Sequence, residues 1–541
     1  MAHEQSLVCT MKGYIQPFER RLALLELESL TSANPTPALT LLDEPLVYHV
    51  TTAQSPEQLL RKLTYWETVG PETVPGRLTQ QVRREATANV VRNGITPEQL
   101  REILPFNGNG IPLPNRRTLR YGSHGAHEYR GKFFPQLARV LLNIAKIRPG
   151  DFVLDPMCGS GTTLVEAALA GCRAVGVDMN PLSVLMSRAK SAILQTPPDI
   201  LAAEYEMLKA ELLQVADRRD ELVWLGALPQ QDQDYLRTWF APQALADLDK
   251  IAVRVHAIEN AACRDLFRLS LSNILRRVSW QKVDDLRVRR EVRADADIDV
   301  IAEFVTELSR TVRTVLAFLY EDAGNDHGSV EVYDGDARHL TGDGAPLNHL
   351  IGNASAVITS PPYATALPYL DTDRLSLCYL GLLPRIGHRL RDQKMIGNRE
   401  VTESQRRGHW NEYLHRKGEL PDDIVAVIDR ISVLNAASEA GFRRRNLPAL
   451  LARYFLDMRV VLQNIAVMLA PDAPAFVVIG NNHTIAGGVR VDIETDRLLG
   501  ILGESLGLTL RQSIPMELLL SRDIFRNNAG TSETILEFGN E

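Results

Sequence analysis

The sequence predicts an α/β fold built around a doubly wound, Rossmann-like parallel sheet. Short apolar runs that fit buried strands alternate with helical apolar spacing, first in residues 134–177 and again from residue 330 onward. A glycine-rich and a proline-rich loop each follow a strand, where such sheets bind ligands. Two β-rich runs at 509–513 and 533–538 predict a terminal β-hairpin.

The first part of the predicted core is residues 116–190. Its predicted elements, in chain order, are a helix at 134–147, a strand at 152–154, a helix at 164–170 and a strand at 173–177. Gly171 is expected to cap the second helix. Strand, helix and strand in this order predict a parallel βαβ unit.

Residues 191–328 interrupt the alternation and predict a helical insertion. Helical periodicity is found at residues 201–216, 242–259, 266–278 and 301–320, with almost no β-rich run. The core resumes in residues 329–541, with predicted strands at 330–333, 356–359 and 475–479 and a helix at 451–469. A basic subinsert is expected at about 384–445. The insertion and this subinsert are the two candidates for a target-recognition part.

Residues 1–115 predict an N-terminal accessory region. They contain short helical patterns at 18–30, 56–65 and 97–103, and they end in the linker-like stretch NGNGIPLPN. No internal repeat or low-complexity tract is found in the chain.

Composition narrows the class of protein. The chain has 541 residues, 45% of them hydrophobic, and a net charge of −7, as expected of a multi-domain globular protein. No apolar run is long enough for a membrane span, and no signal peptide is recognisable, so we expect a cytoplasmic protein. The five cysteines are scattered and never spaced C-x-x-C, which argues against disulfides and structural zinc. The twelve histidines show no metal-binding spacing, so no metal is predicted.

The glycine-rich loop at residues 155–163 (DPMCGSGTT) follows the first core strand and opens a helix. It lacks the lysine of a P-loop, which removes the main support for an ATPase. Asp178 ends the next strand, 17 residues after Gly161, close to the spacing at which a carboxylate reaches ribose hydroxyls. The pattern predicts a nucleoside ligand without phosphates, with Asp155 near a cationic group of that ligand.

The second loop, Ser360-Pro361-Pro362-Tyr363, follows the predicted strand at 356–359. Successive prolines make it stiff, which suits pre-organised acceptors. Ser360 Oγ and the Pro361 carbonyl could bind both N–H bonds of an exocyclic amino group, whose lone pair is otherwise conjugated with its ring. Tyr363 offers an aromatic face to an unstacked base.

These motifs resemble those of the DNA amino-methyltransferases, which methylate cytosine N4 or adenine N6. Residues 155–163 look like motif I, 360–363 like motif IV, 127–135 like motif X, 176–181 like motif II and 333–338 like motif III. The resemblance implies S-adenosylmethionine as cofactor and double-stranded DNA as substrate. It assigns to the cofactor site Lys132, Phe133, Pro135, Asp155, Pro156, Cys158, Gly159, Ser160, Gly161, Thr162, Thr163, Asp178, Asn180, Asp336 and Ala337. It assigns to catalysis Ser360, Pro361, Pro362 and Tyr363.

Within this family, serine at the first position of motif IV is commoner in cytosine-N4 enzymes and aspartate in adenine-N6 enzymes. The expectation is therefore N4 methylation of a flipped cytosine. A restriction or phage-defence system with other subunits is compatible with this activity. Motifs II and III are unusually far apart, since 158 residues separate Asp178 from Asp336. The resemblance covers about residues 121–187 and 329–541, and it leaves the N-terminal region and the insertion unexplained.

Positive charge is concentrated locally although the chain is acidic overall. Residues 276–293 hold seven Arg/Lys against three acids, and further clusters lie at 385–407 and 443–445. The candidates for DNA contact are Arg276, Arg277, Lys282, Arg287, Arg289, Arg290, Arg443 and Arg444. A solvated helix face is the alternative interpretation of each cluster.

Other residues of the sequence bear on several alternative functions. A cytosine-C5 methyltransferase needs a Pro-Cys nucleophile loop, and none of the cysteines follows a proline. Ser360 in place of asparagine disfavours a glutamine-modifying enzyme. An adenine-N6 enzyme, an RNA base methyltransferase and a DNA-recognition subunit with little turnover stay open as alternatives. No nuclease constellation of carboxylates and lysine is apparent.

Overall fold

The computed structural model describes residues 4–38, 45–91, 94–108, 110–129, 131, 133–214, 222–282, 289–292, 298–364, 369–436, 441–517 and 532–540. The strands are β1 Gln5–Met11, β2 Thr36–Pro37, β3 Val47–Thr52, β4 Trp66–Pro71, β5 Arg77–Leu78, β6 Phe152–Asp155, β7 Arg173–Asp178, β8 Val330–Asp334, β9 Ala356–Thr359, β10 Pro474–Gly480, β11 Asn482–Ala486, β12 Val489–Ile493, β13 Thr509–Glu517 and β14 Ser532–Gly539.

The α-helices are α1 Pro17–Thr31, α2 Pro56–Lys62, α3 Gln80–Val90, α4 Pro97–Ile103, α5 Pro135–Ile144, α6 Thr162–Leu169, α7 Pro181–Ala192, α8 Pro198–Gln214, α9 Val223–Ala227, α10 Gln230–Arg237, α11 Pro242–Ala257, α12 Ala261–Val278, α13 Val300–Glu321, α14 Tyr369–Thr372, α15 Arg374–Tyr379, α16 Arg385–Lys394, α17 Glu403–Arg416, α18 Asp422–Ala436, α19 Phe442–Met468 and α20 Thr495–Glu504. None of the described helices is both long and apolar enough to cross a membrane.

The main sheet has seven strands in the order β13-β14-β10-β9-β6-β7-β8. The strands β10, β9, β6, β7 and β8 are parallel, so their carboxyl ends lie at one edge of the sheet. Helices cover both faces: α5, α6 and α7 pack on one, and α19 and α20 on the other. The predicted doubly wound sheet is confirmed.

The terminal hairpin is also confirmed and is longer than predicted. β13 and β14 pair antiparallel along their length, and β14 pairs antiparallel with β10. β14 therefore begins at the same edge where the parallel strands end, and it brings Glu533 to that edge.

The four main helices predicted in residues 191–328 are confirmed as α8, α11, α12 and α13. They form an additional layer on the face of the sheet that carries α7, because α12 packs along α7 and α13 packs along α8 and α12. Their apolar sides share one core with α6 and α7.

The N-terminal region contains more than the predicted helices. Helices α1, α2 and α4 are found where helical patterns were recognised, but a five-stranded antiparallel sheet, β2-β3-β1-β4-β5, was not predicted. Its central strand alternates buried Leu7, Cys9 and Met11 with the more exposed Val8 and Thr10, which is the period of a half-buried strand. These side chains belong to the same hydrophobic core as Val153 and Ala356 of the main sheet.

Helix α19 begins nine residues before the predicted helix at 451–469, and the proline in its first turns is the reason for the difference. Proline removes a backbone N–H, so Pro448 leaves the carbonyl of Arg444 without its helical donor. The side chain of Asn435 supplies that donor, with Nδ2 at 2.7 Å from the Arg444 carbonyl oxygen. The helix therefore continues through the proline.

Candidate active site

The glycine-rich loop of residues 155–163 connects β6 to α6 and lies over the end of β7. The backbone N–H of Gly159 donates to Asp178 Oδ2 at 2.8 Å, and that of Cys158 donates to the Val177 carbonyl at 3.0 Å. Gly161 has φ +79°, and a Cβ there would lie 2.9 Å from Ser187 Cα. Glycine is required at this position both by conformation and by space.

The rest of the loop is buried. Asp155 accepts the backbone N–H of Met157 at 3.2 Å, and burial raises the pKa of its carboxyl to about 7. Pro156, Cys158, Thr162 and Thr163 are also buried. The loop of motif I is thus a tightly packed turn at the carboxyl end of β6.

Asp178 stands at the carboxyl end of β7 and is partly exposed. Its two oxygens accept the backbone N–H groups of Gly159, at 2.8 Å, and Asn180, at 2.7 Å. A carboxylate oxygen can accept more than one hydrogen bond, so capacity remains for a ligand hydroxyl. Burial raises the pKa of Asp178 to about 6. Asn180 is buried, caps α7 and donates to Asp373 at 2.8 Å.

Motif X reaches this loop from the other side. The side chain of Tyr129 packs against Gly159, where a Cβ would lie 3.0 Å from the ring carbon Cε1. Phe133 is partly buried against the core, and Pro135 is the first residue of α5. Lys132 lies outside the described residues. The structure thus brings the described part of motif X beside motif I.

Asp336 of motif III follows β8, the strand next to β7. Its Oδ1 accepts the backbone N–H of Arg338 at 2.9 Å, and Arg338 Nη2 donates to Oδ2 at 2.7 Å. Burial alone would raise the pKa of Asp336, but the hydrogen bonds and charge of Arg338 outweigh burial and lower it. Ala337 is buried beside it. Asp178 pairs in register with Asp334, so motifs II and III are neighbours despite the long helical segment between them.

The proline-rich loop follows β9, which lies directly beside β6 in the sheet. Ser360 is partly exposed, and its hydroxyl donates to the Val478 carbonyl of β10 at 3.0 Å. Pro361 is buried, whereas Pro362 and Tyr363 are partly exposed.

The two loops are also joined by a direct hydrogen bond. Thr163 Oγ1, at the end of the glycine-rich loop, donates to the Ile358 carbonyl at 3.2 Å, two residues before Ser360. The prediction that the two loops meet at one edge of the sheet is confirmed.

Tyr363 is held by two residues that the sequence motifs do not contain. Its hydroxyl donates to the carboxylate of Glu533 at the start of β14. Its ring lies against Gly480, where a Cβ would come within 2.8 Å of ring carbon Cε2. Burial raises the pKa of Glu533, although the hydrogen bond from Tyr363 lowers it. Only the three-dimensional pairing of β10 and β14 identifies these two residues.

Helix α16 adds a further contact at the carboxyl edge of the sheet. Arg391 Nε donates to the Met179 carbonyl at 2.8 Å, and its guanidinium also binds Asp334. Met179 lies between the two motif II residues, so α16 borders the predicted ribose site. No sequence signal in residues 384–445 pointed to this role.

The predicted DNA contacts fall into two groups. Arg276 and Arg277 lie at the end of α12, and Arg277 forms ion pairs with Glu303 and Glu307 at 3.3 and 3.4 Å. Lys282, Arg289 and Arg290 follow and are exposed, and Arg287 lies outside the described residues. Arg443 and Arg444 are exposed in the first turn of α19. The structure does not bring these two groups together.

Comparisons with known proteins agree on methyl transfer. A model of the RMKL-like methyltransferase domain family matches residues 126–217. The chain is 24% identical over 443 residues to the Type II methyltransferase M.MvaI of Kocuria varians, covering 77% of this chain and 91% of that protein. It is 21% identical over 407 residues to the Type II methyltransferase M.AvaI of Nostoc sp. (strain PCC 7120), covering 71% and 79%.

Two further likenesses are narrower or weaker. The tRNA (guanine(10)-N2)-dimethyltransferase of Methanocaldococcus jannaschii is 46% identical over 77 residues, covering 14% of this chain and 22% of that enzyme. The crystal structure of TrmN from Thermus thermophilus aligns over 99% of both chains with a TM-score of 0.31 and 12% identity, which is too weak to support an argument.

Proposed function

Because this chain is a methyltransferase homologous to the Type II methyltransferases, we propose that it transfers the methyl group of S-adenosylmethionine to an exocyclic amino nitrogen of DNA, with cytosine N4 as the acceptor. The proposal rests on one observation above all. The Ser360 hydroxyl donates its hydrogen bond to the Val478 carbonyl, so the lone pairs of its oxygen can accept an amino N–H.

The residues at the sheet edge fit S-adenosylmethionine. The glycine-rich loop offers close backbone approach without a phosphate-binding lysine, and Asp178 and Asp336 offer carboxylates for ribose hydroxyls and the adenine amino group. Ser160 Oγ is buried and has no hydrogen-bond partner among the described residues, which leaves a polar atom for a ligand to satisfy. The cofactor supplies an electrophilic methyl carbon on a sulfonium.

Catalysis by this chain is positioning and charge stabilisation. Ser360 Oγ and the Pro361 carbonyl accept the two amino N–H bonds, which withdraws the nitrogen lone pair from ring conjugation. The same acceptors stabilise the positive charge that develops on nitrogen. The extra proton then leaves to solvent, and no covalent bond to the enzyme forms.

A base inside a duplex cannot reach this loop, so the target nucleotide is flipped out at an expense of a few kcal/mol. Tyr363 stacks on the flipped base. Its hydrogen bond to Glu533 and its contact with Gly480 keep the ring in one orientation. The coverage of the homologues favours DNA over RNA, since the Type II enzymes match over most of the chain and the tRNA enzyme over a small part.

A single assay tests the proposal. The purified chain is incubated with methyl-labelled S-adenosylmethionine and either duplex DNA or structured RNA, and the digested nucleosides are identified by mass. We expect N4-methylcytosine from DNA. N6-methyladenine from DNA would change the acceptor from cytosine to adenine and leave the proposed DNA amino methylation in place. Label only in RNA, or in neither nucleic acid, would contradict the proposal.

A further inference from the structure

Four exposed arginines gather where helices α17 and α19 begin. They are Arg407 on α17 and Arg443, Arg444 and Arg445 on α19, and we call them the arginine tip. No ion pair joins any of the four to an acidic side chain within the described part of the chain. In contrast, the exposed Arg77, Arg101 and Arg497 pair with Glu57, Asp199 and Asp423.

The two helices run side by side in the same direction. Arg459 of α19 pairs at 3.3 Å with Glu419, which lies just after the end of α17. At their beginnings, Arg406 bonds to Glu403 and lowers its pKa, and the charges of Arg407 and Arg445 lower it further. Two basic clusters that are separate in sequence therefore form one surface.

The position of the tip follows from the path of α19. Its last turn lies at the amino edge of the sheet, where the Ala354 N–H donates to the Met468 carbonyl at 2.9 Å. Asp457 already lies at the opposite, carboxyl edge, because it pairs with Arg338 of the loop after β8 at 2.7 Å. Arg444 is thirteen residues further toward the start of the helix, which places it about 20 Å beyond that edge.

The tip and the end of α12 lie on opposite sides of the sheet edge. Helix α19 packs on one face of the sheet, and α12 packs on α7 over the other. The end of α12 also reaches the carboxyl edge, since Ser272 lies 2.9 Å from His127 of motif X. Between these two groups of cations lie the glycine-rich and proline-rich loops.

We propose that the arginine tip binds the phosphates of duplex DNA whose flipped base enters the proline-rich loop, and so holds the duplex from the side opposite α12. This inference rests on the proposed function. The chain has a net charge of −7, and guanidinium groups that form no ion pair with any described residue fit a polyanion. Arginine matches phosphate oxygens with two parallel hydrogen bonds. A rigid duplex whose base lies at the carboxyl edge of the sheet can extend far enough to contact the arginine tip.

The experiment measures how the affinity for a labelled mixed-sequence DNA duplex depends on salt. Each phosphate contact contributes about 0.9 to the slope of log K against log salt. The double variant Arg443→Gln/Arg444→Gln should lower the slope by about 1 to 2 and raise the KM for DNA. Arg443→Lys/Arg444→Lys retains the charges and should retain the slope. The matched control Arg77→Gln/Arg101→Gln removes two exposed arginines of the N-terminal region and should leave the slope unchanged.

A wild-type slope in Arg443→Gln/Arg444→Gln overturns the inference. The affinity for a structured RNA is measured in parallel, and a variant that loses RNA affinity but retains duplex affinity also overturns the inference. Near-wild-type cofactor affinity in the same variant shows that it is folded. Failure of the proposed function looks different: the wild-type chain would then transfer no label to DNA at any salt concentration.

Discussion

At the proline-rich loop, the direction of one hydroxyl proton decides what Ser360 can do. A serine hydroxyl is both donor and acceptor, and its sequence position does not say which role it takes. Donation to the Val478 carbonyl makes the oxygen an acceptor toward the open side of the loop. That arrangement suits an amino group and not a carbonyl substrate.

We expect Ser360→Ala to retain cofactor affinity and to lower kcat on the order of 10²-fold, the scale of one lost partner of a developing charge. Single-turnover methyl transfer and calorimetric titration separate the two effects. Ser360→Thr keeps the hydroxyl and should keep most of the turnover. Near-normal turnover of Ser360→Ala would remove the serine from the mechanism.

Asp178 predicts a pH dependence of cofactor binding. Burial raises its pKa from 3.8 to about 6, so the carboxylate that would accept ribose hydroxyls is lost as pH falls through about 6. The cofactor Kd should then rise up to about tenfold per pH unit, as linkage requires. Asp178→Asn should bind weakly at every pH, and Asp199→Asn, an exposed carboxylate on α8, should keep the wild-type profile.

The same pKa shift provides a check on folding. A carboxyl whose pKa is raised on folding contributes stability below its unfolded pKa of 3.8, and that contribution is lost as pH rises through about 6. At neutral pH, Asp178→Asn removes this unfavourable charge, but it also loses one of the two hydrogen bonds from the backbone of Gly159 and Asn180. The two effects oppose each other, so the thermal midpoint should stay close to that of the wild type. A flat Kd profile in the wild type, or a pH-dependent one in Asp178→Asn, would contradict the ribose assignment.

At the residue scale, the sequence motifs locate the two loops but not the residues from other strands that contact them. Gly161 and Ser360 were identified because their neighbours in sequence define the loop. Glu533, Gly480 and Val478 were not, since each meets the loop only through strand pairing, and a glutamate or glycine at a strand end has no signature of its own.

At the scale of elements, apolar periodicity found the helices and buried strands of the main sheet, while two features escaped it. Strand β1 was missed because only three alternating positions are buried. The start of α19 was missed because Pro448 signals a helix end, and the compensating donor, Asn435, belongs to another helix. In both, the deciding contact comes from a different part of the chain.

The Asn435 side chain offers a test of that compensation. Asn435→Ala should destabilise the fold by about 1 kcal/mol, because the partly buried Arg444 carbonyl loses its side-chain donor. Pro448→Ala restores a backbone N–H, so the double variant should recover most of this loss. Chemical denaturation of the four proteins gives the coupling, and strictly additive effects would show that the side chain does not replace the missing helical hydrogen bond.

At the scale of the molecule, the N-terminal region is tied to the core by buried charge. Arg84 of α3 pairs with Asp322, just after α13, at 2.7 Å, and both side chains are almost fully buried. Burial would raise the pKa of Asp322, but the charges and hydrogen bonds of Arg84 and His327 together outweigh burial, and the pKa falls to about 2. Together with the shared apolar core, this contact joins the described part of the N-terminal region to the main sheet and its helices in one folded unit.

Removing Arg84 should therefore be severe. Arg84→Ala leaves the buried Asp322 without its arginine, with only the His327 ring and the side-chain amides of Gln80 and Asn325 still in contact with it. We expect a loss of about 3–5 kcal/mol in unfolding free energy. Arg77→Ala breaks an exposed pair on β5 and should change stability by less than about 1 kcal/mol. Equal losses in the two variants, measured by denaturant titration at neutral pH, would show that the N-terminal region does not depend on this ion pair.

The central strands β6 and β9 are neighbours in the sheet, yet the residues that join them, Phe152 and Ser355, are 203 positions apart. A ribosome adding 5–20 residues per second needs roughly 10–40 s to deliver the second strand after the first. During that interval the nascent chain has an apolar strand with one open edge, which is prone to aggregation. Chains whose synthesis stops before β9 would therefore be expected to depend on chaperones. Such chains would also lack the proline-rich loop.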